Sequence, residues 1–473
     1  MNKKWLAILL MATGIFSCRK AEFGTVQPKG KSIPITVAID ESRPSYRIPS
    51  DFEGLSYETG LLGEDPEFLN ANNTVLIQLI KNLGNGILRI GGNTSDETSW
   101  TGLPRKDNTP KNLLTTSDID RLSAFSKAIG WRVLFGLNLG DNNPTAAGNE
   151  AMYVYNSLQK DLYAFQSGNE PDVFKFHLRE PGYNYADYQH EWNGYFDIIK
   201  SLVPNAHFAG PDADPFDPNW VSAFARNEQK NIRLIDGHYY STGPASNPSI
   251  SYSDILKPND KLITDLLQLS KISAYHHLPY RISECNSVWG GGKPGVSDVF
   301  ASSLWALDFM WTVAENKGQG INFHGGPPRF AYSPITMNNS TVTARPEYYA
   351  MLAFKYGSNG GSIIPAIISD PRSYNNCSVY ACAGPDNATL ITLINKEESK
   401  DFAFTIQLSK KASTMIVDRL TAPSIASTTS ITFAGSTVTD SGLFSPSSTL
   451  QMVNSKSFVV TVPAGSAAVI TVR

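Results

Sequence analysis

The chain has 473 residues and no surplus of either charge, since 40 Lys and Arg stand against 43 Asp and Glu for a net −3. That balance excludes both the basic footprint of a nucleic-acid binder and the acidic block of a solvating tail. Cysteine is scarce, with four residues and no Cys-x-x-Cys pair, and His276-His277 has no spaced partner, so no zinc site is expected. Nothing else in the sequence asks for a metal or a cofactor. Cys377 and Cys382 lie five apart in Cys-Ser-Val-Tyr-Ala-Cys. On an extended strand that offset faces them in opposite directions and argues against a disulfide. Apolar runs of spanning length are also missing.

The longest apolar run covers residues 5–16, behind Lys3 and Lys4 and just before Cys18. It has the length of an export-signal core rather than of a transmembrane helix. Ile15-Phe16-Ser17-Cys18 resembles a loose bacterial lipobox. Residues 1–17 therefore read as a lipoprotein signal peptide, Cys18 as the lipidated residue and 18–32 as a polar tether. The expected product is an exported lipoprotein on the periplasmic face or cell surface of the outer membrane. Its only membrane contact is the lipid anchor, and it is a monomer.

The remaining composition is that of a globular protein, with 41% hydrophobic residues, 18% charged, and a generous 20 Tyr, 23 Phe and 8 Trp. Between residues 52 and 357, short apolar runs alternate with segments of helical periodicity, the pattern of repeated βα units. Eight runs are legible, at 52–58, 87–92, 133–139, 162–170, 207–212, 233–240, 280–286 and 321–325. Eight units over about 300 residues predict a (β/α)8 barrel spanning 48–358. The runs end in Glu58, Asn93, Asn138, Glu170, Asp212, Tyr240, Glu284 and His324. Barrel active sites form at strand C-termini, so these eight side chains are expected to converge on one cleft.

Beyond residue 359 the pattern becomes strictly alternating, as in Phe-Ala-Phe-Thr-Ile-Gln-Leu (402–408), which predicts a β-sandwich over 359–473. A strand within 33–47 precedes the barrel and is expected to join that domain. Ser and Thr make up half of 421–450, where Ile431, Phe433, Val438 and Leu443 suggest further exposed strands.

Glycosidic hydrolysis needs a carboxylic acid for the leaving oxygen and a second carboxylate across the anomeric carbon. Glu170 in Ser-Gly-Asn-Glu-Pro-Asp and Glu284 in Arg-Ile-Ser-Glu-Cys-Asn close the fourth and seventh runs. From opposite sides of a closed barrel they can face one another. Carboxyl groups ~5–5.5 Å apart imply retention and ~6.5–9.5 Å inversion.

This pairing resembles the retaining (β/α)8 glycosidases that carry an Asn-Glu acid/base on strand four and a nucleophile on strand seven. Glu-Gly-Leu-Ser-Tyr-Glu (53–58), Leu-Arg-Ile-Gly-Gly-Asn-Thr-Ser-Asp (88–96), Gly-His-Tyr-Tyr (237–240) and Ser-Glu-Cys-Asn-Ser-Val-Trp-Gly-Gly-Gly (283–292) narrow the resemblance. They resemble glycoside hydrolase family 79, the β-glucuronidase and heparanase family. The resemblance implies a retaining exo-β-glucuronidase acting on a glycan, with Glu170 as acid/base and Glu284 as nucleophile. It further implies that Asn169 donates to the sugar 2-hydroxyl and that Tyr240 donates to Glu284. Asn93 and Glu58 would hold the distal hydroxyls, although Glu58 could instead pair with Arg89. For a uronic carboxylate, Gly290-Gly291-Gly292-Lys293 offers backbone N–H groups that can approach an anion closely. Tyr332 matches a family tyrosine there, while Trp289 stands where a tyrosine is expected. Cys285, on the opposite face to Glu284, is expected to pack in the barrel wall.

Overall fold

The computed structural model describes residues 32–213, 217–326, 329–369 and 376–473. Residues 1–31, which hold the expected signal peptide, Cys18 and nearly all of the tether, lie outside the described residues. Among the described residues no helix is long and apolar enough to cross a membrane.

Eight parallel strands close a barrel in chain order: Gly54–Glu58, Ile87–Gly91, Arg132–Leu137, Leu162–Ser167, Phe208–Ala213, Ile232–Thr242, Tyr280–Val288 and Ile321–Gly325. Each falls on one of the eight apolar runs of the sequence. They read as runs because a parallel barrel strand is covered on both faces, by helices outside and side chains inside. The helices between them carry local start and stop signals. Helix Thr116–Ile129, for example, opens on a reciprocal Thr115/Asp118 capping box and ends on Gly130 at φ 75°.

Helix Phe300–Glu315 departs from the surface-helix pattern, burying 14 of its 16 residues. It is apolar all round because it lies between barrel and sheet. Trp305 and Phe309 face the barrel, with Trp305 6.0 Å from Phe323, while Trp311 stacks on Tyr380 of the sheet domain at 5.3 Å. Lys396 pairs with Asp308 across the same seam at 2.5 Å.

The C-terminal sheet-rich domain is organised by the long strand Phe402–Thr421. Its first half pairs with Ile33–Ile39, its second half with Ser466–Val472, and Leu450–Val462 runs antiparallel to it from Phe402 to Ile416. One strand thus serves two layers around a core that includes Val37, Phe404, Ile391 and Ile470. Strand Cys377–Ala383 carries two buried cysteines, Cys377 and Cys382, which form no disulfide with one another.

The expectation of exposed strands across 421–450 is corrected. Only Thr432–Phe433 is strand there. Ile431 and Phe433 are buried, and Phe433 meets Tyr356 of the last barrel helix at 5.3 Å. The carbonyls of Ile425 and Ser427 accept from the N–H groups of Ala301 and Phe300, 2.8 Å each. These bonds cap a helix whose preceding Val299 has no side chain able to do so. The apolar residues of this segment therefore anchor an irregular cover to the barrel helices instead of alternating along a ladder.

Candidate active site

The barrel's C-terminal mouth opens as a cleft of about 700 Å³. Six of the eight strand-end residues line it: Glu58, Asn93, Glu170, Tyr240, Glu284 and His324. Asn138 does not. Its amide donates to the Thr98 carbonyl and to Asp141, so it shapes a loop. Asp212 lies beneath the floor, 1% exposed. These are corrections to the expected convergence, and both arise because a strand-end polar group can satisfy backbone or buried charge instead of facing solvent.

Arg89, on the second strand and fully buried, is the hub of the floor. Its guanidinium donates to Glu284 Oε2 at 2.6 Å, Asp212 Oδ2 at 2.5 Å, Asn169 Oδ1 at 2.7 Å, Gln166 Oε1 at 3.0 Å and Ser56 Oγ at 3.0 Å. One planar fork therefore ties strands one, two, four, five and seven together. Glu58 does not pair with Arg89. It accepts from the Thr94 N–H at 2.9 Å and the Thr94 hydroxyl at 2.5 Å, with His324 Nε2 at 3.5 Å. Gly92, at φ 75°, makes room for it, since a Cβ there would fall 2.5 Å from the Glu58 carboxyl carbon.

Glu284 is 6% exposed. Burial alone would raise its pKa, but the charges of His324, His238 and Arg89 and the bond from Tyr240 hold it well below the usual carboxylate range. Tyr240 donates its phenol to Oε1 at 2.7 Å. The ionised form of Glu284 is therefore favoured, with both oxygens aimed by donors. Glu170 opens the turn after strand four at φ 53°, ψ 52°, a left-handed conformation disfavoured for a residue with a Cβ. The Glu170 N–H donates to the Asp212 carbonyl at 2.8 Å, which fixes it there.

One donor atom each of Glu170, His238 and Glu284 lies within 4.8 Å of the others. That spacing could admit a cation. The donors, however, are already engaged: His238 Nδ1 meets Glu170 Oε1 at 2.6 Å and Nε2 meets Asp212 Oδ1 at 2.9 Å. Burial works against protonation of His238, yet the Asp212 and Glu284 charges push its pKa well above the usual histidine range. With Arg89, it supplies the positive charge that a metal would otherwise bring.

Asn169, 4% exposed, lies at the floor and not among the cleft-lining groups. It donates to Asn93 Oδ1 at 3.0 Å and accepts from Arg89. Its N–H is held by Asp96 Oδ2 at 2.8 Å. Opposite, Trp289, Gly290, Gly291 and Tyr332 line the cleft. Gly292 does not. Its N–H donates to the Val288 carbonyl at 3.1 Å, and a Cβ on it would fall 2.6 Å from Tyr332 N. Lys293 also turns away, donating to the Asn247 and Ile250 carbonyls at 2.7 Å each. Gly290 and Gly291, at φ 86° and 90°, keep N–H groups that make no hydrogen bond among the described residues. Trp289 is 49% exposed and packs closely on Gly243, where a Cβ would come within 2.2 Å of the indole. Cys285 is fully buried in the barrel wall.

His238 was missed by sequence reasoning as a site residue. The available signal is its position two residues before Tyr240 on one strand, which places both side chains on the same face.

A closed parallel barrel with two apposed glutamates at its mouth, one ionised and clamped, defines a glycoside hydrolase. The sequence model of the glycosyl hydrolase family 79 C-terminal beta domain matches residues 379–469. A β-glucuronidase of Neurospora crassa is 26% identical over 428 residues, covering 76% of this chain and 74% of its own. One of Aspergillus niger is 24% identical over 466 residues, covering 85% and 84%. The crystal structure of a 4-O-α-L-rhamnosyl-β-D-glucuronidase from Fusarium oxysporum 12S superposes with a TM-score of 0.74 at 19% identity, over 93% of this chain and all of that one. The chain is thus similar to β-glucuronidases over most of its length, and its C-terminal domain matches the family 79 β-domain model.

Proposed function

We propose that this protein is a retaining, exo-acting β-glucuronidase that removes terminal β-linked glucuronic acid from glycans by double displacement. The observation that carries the mechanism is the Glu170–Glu284 approach within 4.8 Å. That is nearer the short spacing of retaining enzymes than the wider gap in which an inverting enzyme seats its water. Glu284 attacks the anomeric carbon while Glu170 protonates the departing oxygen. Glu170 then takes a proton from the water that releases the sugar. Tyr240 and Arg89 keep Glu284 aligned, and Glu58 and Asn93 accept from the distal hydroxyls.

The uronic specificity rests on the two relatives called β-glucuronidase and on donors that line the cleft. These are the N–H groups of Gly290 and Gly291, unbonded among the described residues, and the phenol of Tyr332. Among the described residues the cleft lining contains no Lys or Arg, which disfavours endo-cleavage of a sulfated polyanion. Export and lipidation at Cys18 complete the reading: a Cys18→Ser variant is expected to leave the membrane fraction. The function is tested by comparing kcat/KM for 4-nitrophenyl β-D-glucuronide with that for the glucoside, xyloside and galactoside. Preference for any of the neutral sugars overturns the uronic assignment.

A further inference from the structure

The structure assigns His238 as the positioning residue of the acid/base: it fixes which oxygen of Glu170 faces the leaving group and shelters the carboxylate left after proton donation. This rests on the reading of Glu170 as the acid/base.

Glu170 is the more accessible of the two glutamates, its side chain 16% exposed against 8% for Glu284. Its only side-chain bond among the described residues is the 2.6 Å contact from Oε1 to His238 Nδ1. Oε2 is thereby left for the cleft. The histidine has no freedom of its own. Its ring is fully buried, and its second nitrogen meets Asp212 Oδ1 at 2.9 Å. Asp212 is fixed in turn by Arg89, by the Ser283 hydroxyl at 2.7 Å and by Gln166 at 2.5 Å.

The charged groups facing the ring are Glu170 after strand four, Asp212 on strand five, Glu284 on strand seven and Arg89 on strand two. Asp236 lies on its own strand. With the Glu170 proton held on Oε2, Oε1 is an acceptor, as is Asp212 Oδ1, so both ring nitrogens carry hydrogens and both donate. When Glu170 gives its Oε2 proton to the glycosidic oxygen, the C1–O bond breaks and the Glu284 Oε–C1 bond forms. His238 transfers nothing. It remains a donor to Oε1 and favours the new carboxylate by charge-assisted hydrogen bonding.

Two substitutions separate this role from support of Asp212. The Asn amide reproduces a donor at the Nδ1 position, toward Glu170, and the Gln amide one at Nε2, toward Asp212. Turnover is measured on two aryl glycosides of the preferred sugar, one with a 2,4-dinitrophenolate leaving group that needs no acid and one with 4-methoxyphenolate that does. General acid catalysis is worth roughly 10²–10⁴-fold. Part of that, about 30-fold or more, is expected to be lost by His238→Gln on the methoxyphenyl substrate, with under about 3-fold on the dinitrophenyl one. His238→Asn is expected to recover most of the difference. Equal losses on both substrates, or His238→Asn as impaired as His238→Gln, overturn the assignment. Glu170→Ala run alongside isolates the underlying reading: if it shows no leaving-group dependence, the acid/base identity fails rather than the role of His238. Nitrogen-15 NMR of the wild-type ring needs no variant. Two protonated nitrogens at pH 7 are expected, and a neutral ring refutes the proposal.

Discussion

Replacing Tyr240 by Phe removes one oxygen and leaves a ring of the same shape, 6.1 Å from Tyr332. The lost group is the donor to Glu284 Oε1 at 2.7 Å. Oε2 keeps its 2.6 Å bond from Arg89, so the buried carboxylate remains paired and the barrel should fold. A hydrogen bond to a buried charge contributes about 1.5–3 kcal/mol. At about 1.36 kcal/mol per tenfold, kcat/KM should fall roughly 10- to 150-fold. The sign of the pH effect follows from the same bond. Because the phenol favours the ionised form, removing it lets the Glu284 pKa rise toward its ordinary value, and the acid limb of the rate profile moves to higher pH. The assay is kcat/KM on an aryl β-D-glucuronide from pH 3 to 8, with Tm as a folding control. A folded variant losing less than about 3-fold, or with an unmoved acid limb, would refute the alignment argument.

Glu284→Gly should be inactive on its own and regain turnover with azide, giving the inverted α-glycosyl azide, detected by NMR; activity surviving in Glu284→Gln would show that the nucleophile lies elsewhere. Gly92→Ala should lose most activity and lower Tm, because its Cβ meets the Glu58 carboxyl at 2.5 Å on a backbone at φ 75°; wild-type Tm and KM would contradict this. Glu53, buried and with no partner for Oε1 among the described residues, has its pKa pushed well up by burial. The folded state must therefore take up a proton that the unfolded chain releases near pH 4.3, and stability falls with rising pH between those two values by up to about 1.4 kcal/mol per unit. Glu53→Gln should escape this, its Tm advantage over wild type widening from pH 5 to pH 8, and a constant difference in thermal melts would count against it.

The barrel was legible in the sequence because a strand covered on both faces becomes a short apolar run, and eight such runs leave few alternatives. The long helix Phe300–Glu315 was legible as a helix but not as a buried one, since its burial depends on a sheet domain packing from the other side. The 421–450 segment misled because Ile431 and Phe433 anchor to barrel helices at contacts no local pattern encodes. Within the site, Glu170, Glu284 and Tyr240 were legible from their strand-end positions. The placement of Asp212 beneath the floor was not, because whether a strand-end carboxylate faces solvent or a buried Arg89 is decided by the neighbouring strands. His238 was passed over for the same reason: a lone histidine gains meaning only from the two carboxylates the fold sets at its nitrogens.

The account stands most directly on the stereochemistry of the first product. Hydrolysis of 4-nitrophenyl β-D-glucuronide followed by proton NMR within the first minutes, before mutarotation, should show the β-anomer of glucuronic acid appearing first. The α-anomer appearing first, or no release of glucuronic acid while a neutral β-glycoside is cleaved, would contradict it.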